Sequence, residues 1–316
     1  MPRKVILDVD TGTDDAVAIM FAALHPEIDL LGVTTVRGNV DLAHTTDNTL
    51  RVLDHIDRGD IPVFPGLAGP IARDDLPGER NFGTDTADDP HGTTLPLPPA
   101  STAPQDTGAV EFLVESLRAT TEPITLVPVG PLSNIATALN VNPALVDAVD
   151  EIVIMGGGDA VCNVTAAAEF NMWADPEAAQ VALGAGFAHR TLVPLDATHR
   201  ALVTRQTCTD LRALQTPAGT AAADVVERRI DAYRAVITGS DAAPVHDVVC
   251  TAHLVAPDLL TTRPRYVAVE TTGTRTTGRT VVDNRPNSTR PANAHMAVDA
   301  DANRLTDLLH RTFTRS

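Results

Sequence analysis

The chain has 316 residues, with 24 Lys and Arg against 41 Asp and Glu, which gives a formal net charge of −17. With 43% hydrophobic and 21% charged residues, its composition is that of a folded globular protein, which excludes a disordered chain. The negative charge argues against binding to nucleic acid or to a membrane of anionic lipid, because both partners require positive charge to neutralise phosphates.

Short apolar runs alternate with helical patterns along the chain. The apolar runs predict strands at 5–7, 30–36, 124–129, 151–155 and 191–195. Helical periodicity predicts helices over 14–24 and 41–56. Asp175-Pro176-Glu177 predicts a further helix start, with Asp as N-cap and Pro at the first helical position, and that helix should end near Gly184 or Gly186. This order predicts an α/β fold with a mainly parallel central sheet flanked by helices.

Residues 73–107 differ from the rest of the chain. They are rich in Pro, Gly, Asp and Thr and show no periodicity. An irregular loop this long within a compact domain is usually functional or disordered, and a tolerated surface insertion is the alternative. Because no internal repeat and no strong linker is visible, we predict a single domain over residues 1–316.

The three cysteines are widely spaced and form no Cys-x-x-Cys pair, so we expect free thiols in a reducing compartment. At the N-terminus, Asp8 and Asp10 come before any apolar core of a signal peptide could form. No run approaches the 18 apolar residues of a membrane span. These features predict a cytoplasmic protein.

Four carboxylates lie directly after the first predicted strand, at Asp8, Asp10, Asp14 and Asp15. In an open α/β sheet the carboxyl ends of the strands form the ligand crevice. Crowded carboxylates repel one another, so they either take up protons or bind a cation. Oxygen ligands favour a hard ion, calcium or magnesium, over zinc. The alternative is a solvated acidic turn in which Asp14 caps the following helix.

Two other acidic motifs can be compared by their spacing. An EF-hand loop requires its glycine at the sixth position, whereas Gly12 is the fifth residue from Asp8 and no helix precedes it. A phosphatase of the haloacid-dehalogenase type also begins with strand, Asp, any residue, Asp, and would use Asp8 or Asp10 as nucleophile. That chemistry lacks a downstream lysine here, because Lys4 is the only lysine in the chain.

The segment from Asp8 to Ala16 resembles the Asp-x-Asp-Pro-Gly-x-Asp-Asp-Ala fingerprint of the inosine-uridine-preferring nucleoside hydrolases, with Thr11 where proline is usual. Segments 32–39, 128–134, 156–171 and 244–247 are similar to further motifs of that family, in the same order. The resemblance implies a nucleoside-hydrolase-like fold with a Rossmann-type core. It also implies calcium-dependent hydrolysis of the N-glycosidic bond of ribonucleosides to free base and ribose.

The resemblance also implies roles for single residues. The residues that match the calcium ligands are Asp10, Asp15, Val129 through its carbonyl, and Asp247. The residues that match the ribose-binding positions are Asp14, Asn39, Asn163, Glu169 and Asn171. In the catalytic roles, Asp10 matches the base that activates a calcium-bound water, and His246 matches the proton donor to the leaving base.

Two further residues are candidates for contact with the substrate. His91, followed by Gly92, lies in the irregular loop, where family members often carry His-Gly near the substrate. Tyr233 lies upstream of His246, where family members place aromatic residues near the base, and core packing is its alternative role. Trp173 is not expected to sandwich the base, although purine-specific members use tryptophan for that contact. The pairing of His246 with Asn39 is more similar to the broad or pyrimidine-preferring members.

An alternative of a different class is a calcium- and ribose-binding homologue that has lost catalysis. Against it, every position that the chemistry requires holds a competent residue. As partners, the resemblance implies a small ribonucleoside substrate and a homodimer or homotetramer. The pathway that it implies is nucleoside salvage or catabolism.

Overall fold

The computed structural model describes residues 1–76, 89–236 and 240–315. Its strands are β1 (Arg3–Val9), β2 (Ile28–Thr35), β3 (Val63–Pro65), β4 (Ile124–Pro128), β5 (Val149–Met155), β6 (Arg190–Val193), β7 (Leu202–Thr204), β8 (Ala242–Pro244), β9 (Leu260–Val269), β10 (Thr280–Asp283) and β11 (Ala294–Ala300).

The α-helices of the described residues lie between and after these strands. They are α1 (Thr13–Leu24), α2 (Leu42–His55), α3 (Ala109–Ala119), α4 (Ser133–Val141), α5 (Phe170–Ala174), α6 (Pro176–Gly184), α7 (Leu195–Thr198), α8 (Arg205–Ala213), α9 (Pro217–Val236), α10 (His246–His253) and α11 (Ala302–Phe313). Short 3-10 helices span Pro143–Ala148 and Pro257–Leu259.

A nine-stranded sheet forms the centre of the described residues, in the order β10-β9-β11-β6-β5-β4-β1-β2-β3. The strands from β3 to β11 in this order run parallel, and β9 and β10 add antiparallel pairs at one edge. The chain leaves β1 toward β2 and β3 on one side, and later builds β4, β5 and β6 on the other. A crevice therefore opens at the carboxyl ends of β1 and β4, the switch point at which such sheets bind ligands.

Burial explains why β1 and α1 form where they do. Val5, Ile6 and Leu7 are almost fully buried, as expected for a strand with parallel neighbours and helices on both faces. Helix α1 is buried from Thr13 to Ala23 and packs against α10 and α9. The start of α1 is consequently held rigidly at the end of the central strand.

The α/β architecture predicted from the sequence is confirmed, as a single-domain fold with a mostly parallel sheet. Each predicted strand and helix is present, with bounds that differ by a few residues. Asp175 caps α6 by accepting a hydrogen bond from the Ala178 amide. The antiparallel edge of β9 and β10 lies in a region where the sequence patterns predicted no element.

The remaining expectations have mixed outcomes. The three cysteines are free thiols, as predicted. In the predicted loop at 73–107, residues 77–88 lie outside the described residues, and the described part contains no helix or strand before α3. Among the described helices, none combines the length and apolar character needed to cross a membrane.

Candidate active site

A cavity of about 370 Å³ lies at the switch point of the sheet. Every site residue predicted from the sequence lines it except Asp15, which lies directly behind its wall: Asp10, Asp14, Asn39, His91, Val129, Asn163, Glu169, Asn171, Tyr233, His246 and Asp247. Residues more than 230 positions apart in sequence therefore meet at one place in the fold.

The Asp15 carboxylate organises the loop between β1 and α1. One oxygen accepts a hydrogen bond from the Asp10 amide at 3.1 Å, and the other accepts from the Gly12 amide at 2.9 Å. The second oxygen also accepts from Asn39 Nδ2 at 3.3 Å. These bonds give a partner to main-chain amides just before α1, so the Asp15 side chain holds the loop that precedes its own helix.

The Asp10 carboxylate is held at the rim of this loop. Its Oδ2 accepts a hydrogen bond from the Asn39 amide at 2.7 Å, and its main-chain carbonyl accepts from Asn39 Nδ2 at 3.2 Å. A Cβ atom at Gly38 would lie 1.9 Å from that same Oδ2. Glycine at 38 is therefore required for the carboxylate to reach the Asn39 amide.

Three buried carboxylates form the cluster that could hold a metal ion. Oxygens of Asp14, Asp15 and Asp247 all lie within 4.8 Å of one another. Burial, followed by the charge of Asp14, raises the pKa of Asp15 to about 7. Burial and the three neighbouring aspartates raise the pKa of Asp247 well above its ordinary value. Anionic carboxylates this crowded and this dry require a cation or protons, so an all-oxygen cation site fits these residues.

The predicted calcium ligands and this cluster overlap without being identical. Asp15 and Asp247 belong to both sets, whereas Asp14 was assigned to the ribose by the resemblance. Asp10 lines the same cavity but lies outside the group of three carboxylates. The Val129 carbonyl is also at the cavity wall, where it accepts a hydrogen bond from Asn171 Nδ2 at 2.7 Å.

The predicted ribose-binding residues 163–171 form a second wall of the cavity. Glu169 caps α5 and accepts hydrogen bonds from the amides of Gly157, Asn171 and Met172, and burial raises its pKa to about 7. Asn163 Oδ1 accepts a hydrogen bond from the Phe170 amide at 2.9 Å. Main-chain contacts thus fix the orientation of these polar side chains beside the cavity.

His246 and Tyr233 meet on the side of the cavity formed by α9 and α10. The Tyr233 hydroxyl lies 3.3 Å from His246 Nε2, and the Thr198 hydroxyl lies 2.7 Å from His246 Nδ1. Burial, followed by the charge of Arg229, lowers the pKa of His246 well below its ordinary value. The imidazole is therefore neutral and is held by a partner at each nitrogen.

Arg229 is a site residue that the sequence patterns did not identify. Its side chain is almost fully buried and donates hydrogen bonds to Asp14 Oδ1 at 2.9 Å, to Thr13 Oγ1 at 3.1 Å and to the Pro244 carbonyl at 3.1 Å. Burial alone would raise the pKa of Asp14, but Arg229 and the nearby histidines hold it below its ordinary value. The available signal was an arginine within an apolar stripe, since Val225, Val226 and Ile230 are buried around it.

His91 approaches the acidic loop from the opposite side. Its Nδ1 lies 3.6 Å from Asp14 Oδ1. A Cβ atom at Gly12 would lie 2.1 Å from the same nitrogen, so the ring packs directly on the glycine backbone. His91 therefore lines the cavity beside the acidic loop, and its contact with a substrate stays a prediction.

Asp8 and Trp173 lie outside the residues that line the cavity. Asp8 Oδ1 accepts hydrogen bonds from Thr34 and Asn134, and burial raises the pKa of this carboxyl to about 7. Asp8 therefore belongs to the interior between β1, β2 and α4, which removes it as a phosphatase nucleophile. Trp173 packs beside Phe170, with ring centroids 6.2 Å apart, as expected for a residue that does not stack on a base.

Known proteins are similar to this chain both in sequence and in fold. The family model described as "Inosine-uridine preferring nucleoside hydrolase" matches residues 5–307. The pyrimidine-specific ribonucleoside hydrolase RihA of Escherichia fergusonii is 38% identical over 309 residues, which cover 98% of this chain and 97% of that protein. RihA of Shewanella woodyi is 39% identical with the same coverage.

A solved structure gives the same result. The purine-preferring ribonucleoside hydrolase from Gardnerella vaginalis superimposes with a TM-score of 0.89 at 30% identity, and the match covers 99% of this chain and 98% of that one. The match runs along nearly the whole chain in sequence and in structure. The protein therefore belongs to the inosine-uridine preferring nucleoside hydrolase family.

Proposed function

We propose that this protein hydrolyses the N-glycosidic bond of ribonucleosides with the help of a bound calcium ion, and that pyrimidine ribonucleosides are its preferred substrates. The observation that carries the proposal is the composition of one cavity. It brings a cluster of buried carboxylates and a hydrogen-bonded His246–Tyr233 pair together within about 370 Å³. Its volume lies within the range of pockets that enclose small molecules.

Calcium is favoured by the donors at the site. Asp15 and Asp247, together with Asp10 and the Val129 carbonyl, offer only oxygen atoms, and their crowding disfavours the metal-free anionic state. Calcium accepts more ligands than magnesium and so leaves room for substrate oxygens. When bound, the ion would supply a positive charge that makes water more acidic and attracts the ribose hydroxyls.

Asp10 serves as the general base in this proposal. The Asn39 amide fixes one oxygen of its carboxylate, which orients the group toward the cavity that it lines. A carboxylate in this position accepts the proton of the attacking water, a role that typically contributes about 10²–10⁴-fold to the rate.

The ribose would be bound by polar side chains around the acidic loop. These are the residues implied by the resemblance, all of which line the cavity: Asp14, Asn39, Asn163, Glu169 and Asn171. A 2′-deoxyribose would leave buried polar groups of such a site without a partner, so deoxyribonucleosides should be excluded strongly.

His246 assists the departing base. The Thr198 hydroxyl donates to the Leu195 carbonyl, so it accepts from His246 Nδ1–H, and His246 Nε2 then accepts from the Tyr233 hydroxyl. His246 is neutral in the free protein. Negative charge that develops on the leaving base would raise the pKa of His246, so that the pair takes up a proton from solvent at His246 Nε2 and passes a proton to the base.

The preference for pyrimidines rests on the relatives. Both RihA proteins, at 38% and 39% identity, are named as pyrimidine-specific, whereas the purine-preferring enzyme from Gardnerella vaginalis is 30% identical. We further propose that the protein is cytoplasmic and assembles as a homodimer or homotetramer. Analytical ultracentrifugation tests the assembly.

The proposed function is tested by release of reducing sugar from uridine, cytidine, inosine, adenosine and deoxyuridine, before and after EDTA treatment and calcium add-back. We expect uridine and cytidine to be cleaved fastest, deoxyuridine to be spared, and calcium to restore the activity lost to EDTA. If calcium stabilises the protein but no ribonucleoside is cleaved, the non-catalytic binding protein becomes the better account. Faster cleavage of inosine than of uridine would refute the pyrimidine preference alone.

A further inference from the structure

Asn48, on α2, connects two segments of the site through a fully buried side chain. Its Nδ2 donates hydrogen bonds to the Thr11 carbonyl at 3.1 Å and to the Thr93 carbonyl at 3.3 Å. Its Oδ1 accepts from the Leu95 amide at 2.9 Å. The side chain is 1% exposed, so water cannot replace these bonds. One amide group thus joins the acidic loop to the segment that follows His91.

The segment 89–97 has no helix or strand to hold it in place. At the start of the segment, the Pro90 carbonyl accepts a hydrogen bond from Thr13 Oγ1 at 3.0 Å. The Asp89 carbonyl accepts a longer one from Arg228 at 3.4 Å. At its far end, Arg51 donates to the Leu97 carbonyl at 2.9 Å. In the middle of the segment, Asn48 forms hydrogen bonds with the Thr93 carbonyl and the Leu95 amide.

The position of this segment determines where His91 lies. The His91 ring packs against Gly12 without room for a Cβ atom, and its Nδ1 is 3.6 Å from Asp14 Oδ1. Asn48 donates a hydrogen bond to Thr11, the residue before Gly12. It also bonds to Thr93 and Leu95, which follow Gly92 along the chain. The acidic loop and the His91 segment, which meet at the His91 ring, are therefore both hydrogen-bonded to the Asn48 side chain.

We propose that Asn48 is a positioning residue, which aligns the His91 segment with the acidic loop and so sets the fit of the substrate between them. This inference rests on the proposed ribonucleoside hydrolysis for its kinetic consequence. Asn48 does not line the cavity, so it acts through His91 and not by contact with the substrate.

Two substitutions test the proposal by kinetics. Asn48→Asp keeps an acceptor for the Leu95 amide but sets a carboxylate oxygen against the Thr11 and Thr93 carbonyls, whereas Asn48→Ala removes all three bonds. We expect KM for uridine to rise about tenfold in both, because each variant loses at least two buried hydrogen bonds, with kcat changed less than about threefold. A role in stability alone would lower kcat through the folded fraction and leave KM unchanged.

Arg51→Met is the matched control, because it removes the bond to Leu97 at the far end of the segment without touching the acidic loop. Its KM should stay within about twofold of the wild type. A double variant tests whether Asn48 acts through His91. If it does, adding Asn48→Ala to His91→Ala leaves KM unchanged, whereas a further rise in KM equal to that of the single variant would overturn the proposal.

Hydrogen exchange tests the alignment without any substrate. The Leu95 amide should exchange faster in Asn48→Ala but stay protected in Asn48→Asp, which keeps its acceptor, while amides of α1 remain unchanged. If the wild type cleaves no ribonucleoside, the proposed function fails, yet this exchange result still decides the alignment. Unchanged Leu95 exchange in Asn48→Ala would overturn it.

Discussion

Replacing Arg229 by methionine keeps much of the side-chain volume but removes its charge and its donors. Arg229 is 1% exposed and its partner Asp14 is 4% exposed, so solvent does not screen this ion pair. The substitution would remove the arginine donor from the Asp14 carboxylate and from the Pro244 carbonyl, both of which are buried. We therefore expect Arg229→Met to lower the stability of the protein and to raise the pKa of Asp14.

The size of this effect follows from the burial of the pair. Removing one partner of a buried ion pair typically costs about 3–5 kcal/mol. The unfolding entropy of a chain of 316 residues is about 0.7 kcal/mol/K, so the melting temperature should fall by about 4–7 °C. The fall should be largest in EDTA, where no metal ion balances the charge of Asp14.

Thermal and urea unfolding of Arg229→Met, Asp14→Asn and the double variant measures this coupling. The matched control is Arg228→Met, because Arg228 is only half-buried and donates a single long bond to Asp89. It should lower stability by less than about 1 kcal/mol. In the double variant no charge is left unpaired, so its loss should be smaller than the sum of the single losses. Additive losses within about 0.5 kcal/mol would refute the ion-pair reasoning.

Four further predictions concern the acidic loop and the residues next to it. Because the pKa of Asp15 is raised to about 7, protons compete with calcium, and calorimetry should find calcium affinity falling as the pH drops below about 7; constant affinity from about pH 5.5 to 8 would contradict this. For the same reason Asp15 holds its proton in the folded metal-free protein but loses it in the unfolded chain between pH 3.8, its ordinary pKa, and about pH 7. The stability of the protein in EDTA should therefore decline as the pH rises through that window. Asp8→Asn should keep kcat/KM within about threefold, because Asp8 does not line the cavity, and a loss above about tenfold would place it in the site. Gly38→Ala should lower kcat more than about 100-fold, because its Cβ would displace the Asp10 carboxylate, and near-normal turnover would show that the carboxylate need not hold that position.

The sequence patterns located the acidic loop because the residues that determine its position are adjacent in the sequence. An apolar run followed directly by carboxylates and a helix start places those groups at the end of a central strand, whatever the rest of the chain does. They could not separate Asp8 from Asp10, because β1 ends at Val9 and the alternation of side chains across a strand stops there. The bonds from Thr34 and Asn134 that draw Asp8 inward come from other strands and helices.

Arg229 and Asn48 show what local patterns miss. Both act across long sequence separations, Arg229 on Asp14 and Asn48 on the segment after His91. An isolated arginine or asparagine on a helix is usually solvated, so neither residue type signals burial by itself. The antiparallel strands β9 and β10 were missed for a similar reason, since their pairing partners are set by the sheet edge that they complete.

The most direct test of the proposed chemistry is uridine hydrolysis by Asp10→Asn, measured at calcium concentrations that saturate both the variant and the wild type. Calcium binding and the melting temperature, measured on the same samples, show whether the site remains formed. We predict that kcat falls by at least about 100-fold while the variant still folds and binds calcium, as for the loss of a general base. Turnover within about tenfold of the wild type would contradict the assignment of Asp10 as that base.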